Sequence, residues 1–107
     1  MQEEELVHAE ETDKPILVDF DGTNVIVTPP SVNIERPGQQ VIWVTHPDWY
    51  LTIEFKGGFP PSPCNKVKGR CHATFPPGRP GKYDYNATVT LEDGSEHSID
   101  PDLIILY

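Results

Sequence analysis

Basic residues are scarce: 8 Lys and Arg stand against 17 Asp and Glu in 107 residues, a formal net charge of −9. That deficit argues against a chain whose whole surface binds nucleic acid or an anionic membrane. Long apolar runs are missing too, and none approaches the ~20 residues of a membrane-spanning helix. There is almost no helical periodicity, and no glycine-rich phosphate loop leads into a helix. Ser31, Ser62, Ser95 and Ser98 have no elbow motif around them, and no set of nucleophile, base and stabiliser can be nominated. The chain therefore reads as a non-enzyme without a cofactor. Methionine occurs once and cysteine twice. The first 13 residues are polar and acidic and lack the apolar core of a secretory signal. The expected location is cytoplasmic if Met1 is the native start, and periplasmic or secreted if Met1 replaces a removed leader.

What remains is enough for one domain, burying roughly 65% of the unfolded chain's surface. Residues 1–15 read as an acidic arm, with Glu3, Glu4, Glu5, Glu10, Glu11 and Asp13 in its first 13 positions and no base among them. Residues 16–107 read as the domain. Its punctuation is dense. Ile16–Phe20 is a short β-rich run, Asp21-Gly22 a turn, and Val25–Val27 the next run, which Pro29-Pro30 stops. A strand around Val32–Ile34 ends before the turn signal Pro37-Gly38. The continuous run Val41-Ile42-Trp43-Val44 predicts a strand buried on both faces or passing through the core. Leu51, Ile53 and Phe55 alternate with polar residues, and Tyr83, Tyr85, Ala87, Val89 and Leu91 occupy every second position. Asp93-Gly94 predicts a two-residue hairpin into Glu96–Ile99. Asp100-Pro101 ends that strand, and Leu103–Leu106 forms the last. The spacing predicts an all-β chain of eight or nine strands, an antiparallel sandwich or barrel.

Between Lys56 and Gly81 lie six prolines and five glycines, which read as one long loop. Lys56, Lys66, Lys68, Arg70, Arg79 and Lys82 fall in or beside it, six of the eight basic residues with no acid between them. One reading is a solvated loop; the other is a basic patch for an anionic ligand or unknown protein partner, or for the chain's own acidic arm. Trp43 reads as core. Trp49 and Tyr50 follow His46-Pro47-Asp48, a loop composition, and either close one end of the sandwich or stack a sugar or peptide. The binding candidates are therefore Lys66, Lys68, Arg70, Arg79, Trp49 and Tyr50.

Cys64 and Cys71 sit in the same stretch. They can form a disulfide closing a small loop in an oxidising compartment, or remain two reduced thiols. With His72, and with His46 or His97 in addition, they can also supply ligands to zinc or copper, although six intervening residues exceed the usual ligand-pair spacing. The Cys-His ending is likewise too widely spaced for haem attachment. His8 and His97 read as solvent-exposed. Asp100 and Asp102 read as turn chemistry. Asn86-Ala87-Thr88 matches a glycosylation acceptor but falls within a predicted strand.

The run Gly81-Lys82-Tyr83-Asp84-Tyr85 resembles the segment that precedes the copper-binding loop of cupredoxins. Val41–Val44 with Leu51–Phe55 resembles their pair of core strands, Pro37–Val41 the turn into that pair, and Leu103–Leu106 their closing strand. Asp100-Pro101-Asp102 before an apolar strand is similar to small bacterial cupredoxin-like proteins. The resemblance covers residues 16–107 and implies a Greek-key sandwich of about eight strands. It also implies copper ligands at defined positions, and there the chain departs. The first His position is Leu51, the Cys position is Ala87, and Thr88–Thr90 stand where the second His belongs. Met1 supplies no axial thioether there. The resemblance thus implies a metal-free interaction or accessory module, with a metal or electron-transfer protein using Cys64, Cys71 and His72 as the alternative.

Overall fold

Alternation of apolar and polar residues decides which side of each strand turns inward. In the computed structural model, which describes residues 13–58, 62–75 and 79–107, that rule builds ten strands. They are β1 (Asp13–Phe20), β2 (Val25–Thr28), β3 (Ser31–Ile34), β4 (Gln40–Val44) and β5 (Tyr50–Phe55), then β6 (Cys64–Lys68), β7 (Arg70–Thr74), β8 (Gly81–Thr90), β9 (Glu96–Ile99) and β10 (Asp102–Ile105). One sheet has the order β2-β1-β4-β7; the other has β3-β10-β8-β5-β6, with β9 also paired to β8. Of the arm expected at 1–15, residues 1–12 lie outside the described residues, and Asp13–Pro15 already belong to β1.

The all-β class holds, with three corrections. There are ten strands among the described residues rather than about eight, because β6 and β7 lie inside the stretch read as one loop. The sheets are mixed rather than antiparallel: β1 runs parallel to β4, and β3 parallel to β10. A chain that leaves a sheet and returns after a crossover can re-enter in its original direction, which hairpins cannot do. Finally, the sheets face each other as two open layers, not a closed barrel.

Two local readings also change. In β4 only Val41 and Trp43 are buried, while Ile42 and Val44 are half-buried on the outer side. A two-layer domain has no third layer to cover them. The β8–β9 turn is a three-residue loop, Glu92-Asp93-Gly94. The Leu91 carbonyl accepts from Gly94 N–H at 2.9 Å, and Leu91 N–H donates to Ser95 O at 2.9 Å. Gly94 takes φ 89°, the left-handed position such a loop requires. Ten-residue β8 is long enough to pair β10 along its first half and β9 along its second. The break between them falls at Asp100-Pro101, where the Pro101 carbonyl accepts from Tyr85 N–H at 3.0 Å.

The core is aromatic at its centre. Trp43 of β4 meets Tyr85 of β8 edge-on, with ring centroids 5.7 Å apart at 75°. Phe55 packs against Trp43, Tyr85 and Phe75 at 6.3, 5.2 and 6.0 Å. Trp43 Nε1–H donates to Tyr85 Oη at 3.1 Å, joining the two sheets through a bond wholly out of water. At one lateral edge the sheets are held by the Cys64–Cys71 disulfide between β6 and β7. Away from that edge, Phe20 at the end of β1 stacks on His97 of β9 at 4.1 Å and 22°, a second link between the sheets.

Burial pushes the Tyr85 hydroxyl up from 10.0 to about 12, against the Trp43 hydrogen bond, which lowers it. The folded state therefore holds this proton more tightly than the unfolded chain. Its contribution is complete below pH 10 and is lost as pH rises towards 12, about 3 kcal/mol in all. Denaturant unfolding between pH 9 and 12 should show that fall. Tyr85→Phe should flatten it while lowering stability at neutral pH by about 1–3 kcal/mol, since Trp43 N–H loses its acceptor.

Candidate functional site

The six basic residues are distributed by a corner. β6 belongs to one sheet and β7 to the other, and Gly69 alone joins them. A chain that changes sheets within one residue needs an unusual backbone, and Gly69 takes φ 79°. Its N–H donates to Trp49 O at 3.0 Å and its carbonyl accepts from Thr45 N–H at 2.9 Å. The corner thereby fixes the loop between β4 and β5. Asp48 N–H donates to His46 Nδ1 at 3.1 Å, and the His46 ring stacks on Trp49 at 5.0 Å and 25°. Trp49 is half-buried against the core, one face engaged by its own loop. Tyr50, 40% exposed, is open on the outer face opposite Lys68.

Lys66 and Lys68 precede the corner, on the six-stranded sheet, whereas Arg70 follows it and sits beside Val44 on the four-stranded one. Arg79 lies before β8, where its carbonyl accepts from Tyr83 Oη–H at 2.8 Å. Acids from the end of the chain answer three of the six cations. Lys56 meets Asp100 at 3.3 Å, Lys66 meets Glu96 at 3.2 Å and Lys82 meets Asp102 at 3.7 Å. All the partners are exposed except half-buried Asp102, and each pair contributes at most about 1 kcal/mol. Lys68, Arg70 and Arg79 have no ion pair among the described residues. The structure brings Tyr50, Lys66 and Lys68 onto one face and separates them from Arg70.

That face holds an open cleft of about 600 Å³, lined by Thr52, Glu54, Cys64, Lys66, Thr88 and Glu96 among others. A bulge between Leu51 and Ile53 shifts the β5–β6 register there. Lys66 takes φ 53°, uncommon for a residue with a side chain, and its N–H donates to Thr52 Oγ1 at 3.0 Å. Thr88 and Ser98 hydroxyls share a hydrogen bond of 2.8 Å. Thr52, Glu54, Thr88 and Glu96 were not singled out from sequence. Their signal was the polar half of the β5 and β8 alternation, which marks an outward face.

The metal alternative meets a different arrangement. Both sulfurs are joined in the Cys64–Cys71 disulfide, and no cysteine among the described residues is free. Cys71 is buried while His72, the next residue along β7, is exposed on the opposite face. Among the described residues, no three or more of His, Cys, Asp and Glu cluster as metal ligands. Leu51 and Ala87 are fully buried on adjacent strands, Leu51 opposite Val89 and Ala87 opposite Ile53. Both face the apolar interior. Near β9, Ser95 Oγ–H donates to Asp93 at 2.7 Å and lies 3.2 Å from His97 Nε2. The serine is the middle member, its proton already committed to the carboxylate, so the trio locks a turn instead of activating a nucleophile. Bonds from Ser95 hold the Asp93 carboxyl below its ordinary value.

Among the described residues, no helix is long and apolar enough to cross a membrane. No family model matches the chain, and no curated protein matches it significantly.

The disulfide closes a loop of only 7 residues' separation but ties the edge strands of both sheets. Thiol titration of the unfolded, unreduced protein should find no free thiol from this pair. The double variant Cys64→Ser, Cys71→Ser should lose roughly 2–3 kcal/mol in denaturant unfolding.

Proposed function

We propose that this chain is a metal-free, cupredoxin-like domain acting as a non-catalytic interaction or accessory module. The observation that carries the reading is the lining of its interior at the two positions where cupredoxins place copper ligands. Leu51 and Ala87 are fully buried and apolar, and neither offers nitrogen or sulfur. A type 1 site needs two imidazoles and a thiolate held together. The mixed two-sheet order supports the fold side of the reading, since it places Trp43, Leu51–Phe55 and Tyr83–Ala87 around one core. With that interior closed by packing, recognition falls to the outside. The binding face on this reading is the open side of β5, β6, β8 and β9, where Tyr50, Lys68 and the polar cleft adjoin.

Titration of the oxidised protein with Cu(II) should give no intense absorption at about 600 nm, the thiolate charge-transfer band of a type 1 site. A blue colour saturating at one equivalent would overturn the metal-free reading.

A further inference from the structure

The two outer faces of the sandwich differ in kind. On the six-stranded sheet the outward residues include Thr52, Glu54, Asn86, Thr88 and Ser98, as expected of a solvated face. On the four-stranded sheet they are apolar at the centre. Leu17 is 54% exposed and Ile26 43%, and Ile42 and Val44 are half-buried. In the parallel pair at the middle of this sheet, Leu17 lies beside Val44 and Pro15 beside Ile42. Two exposed charges of opposite sign border this apolar patch. Asp19 of β1 stands next to Ile26 of β2, and Arg70 of β7 next to Val44 of β4. Neither has an ion pair among the described residues.

We propose that this face is the interface of a symmetric homodimer. The parallel centre sets the geometry. A two-fold axis along β1 and β4, passing between them, lays β1 of one copy over β4 of the other without reversing either strand. Leu17 then covers Val44 of the second copy, Pro15 covers its Ile42, and both contacts occur twice, as an isologous interface requires. The same rotation lays β7 of each copy over β2 of the other, with Arg70 above Thr28 and diagonal to Asp19, one strand across and two residues along. An axis across the strands would instead set Arg70 against Arg70, so the charges select the first arrangement. The face is four strands wide, about 4.8 Å apart, which is small beside the ~800 Å² per partner of a standard interface. The dimer is therefore weak and concentration-dependent. It is independent of the metal-free reading.

Sedimentation equilibrium of the full chain should show the mass rising from 12.0 kDa towards twice that value as concentration approaches about 1 mM. Leu17→Glu, on a side chain outside the core, should weaken association by about tenfold or more, with circular dichroism and melting confirming a folded protein. Asp19→Arg and Arg70→Asp should each weaken it, and the two together should restore it. A protein that stays monomeric throughout, a dimer indifferent to Leu17→Glu, or a double variant no tighter than the singles would overturn the proposal.

Discussion

The Trp43–Tyr85 hydrogen bond is the constraint on which the rest of the sandwich turns. It is made in the fully buried layer between the sheets. There an unmet indole N–H would carry its whole desolvation penalty. A slip of β8 by one residue would send Tyr85 outward and bring Asn86 in, so the bond and the alternation enforce the same register. Once Tyr85 is set, Phe55 packs tilted against it, and Phe75 meets Phe55 edge-on. The interior becomes a packed aromatic centre with aliphatic strands on both sides. That packing also accounts for the closed character of the region where Leu51 and Ala87 sit, both fully buried in the apolar cluster.

Period-two patterns were legible in the sequence wherever one face is buried. β5 and β8 could be read residue by residue because Leu51–Phe55 and Tyr83–Leu91 alternate without interruption. β6 and β7 could not. Asn65 to Lys68 are all exposed, Lys66 has a left-handed backbone, and the extra residue on β6 opposite Thr52 breaks the register, so no alternation survives. In β7 the inward residues are Cys71 and half-buried Ala73, too small and too few to signal a strand. Strand direction was invisible as well. Nothing in Ile16–Phe20 or Val41–Val44 announces that these segments run parallel, because that follows from the crossover between them.

Charge misleads when counted along the chain. Residues 56–82 look uniformly basic, yet pairing brings Asp100, Glu96 and Asp102 across to Lys56, Lys66 and Lys82. The corner at Gly69 then divides what the sequence runs together, since Lys68 and Arg70 are two residues apart but belong to different sheets. Polar lining residues such as Thr52 and Thr88 were passed over for the opposite reason. Individually ordinary, they matter only because β5 and β8 set them side by side.

The parallel pairing of β1 with β4 and of β3 with β10 fixes where the two ends of the described domain emerge. β1 and β10 are the first and last strands described, and each lies inside its sheet with a neighbour on both sides. β1 starts beside Gln40, at the beginning of β4, and β10 ends beside Gly81, at the beginning of β8. Both β4 and β8 run towards the end of the sandwich where Gly69 bonds to Thr45 and Trp49, so β1 enters and β10 leaves at the opposite end. A neighbour joined on either side of the domain would lie at that end, and the Gly69 corner would stay clear of it.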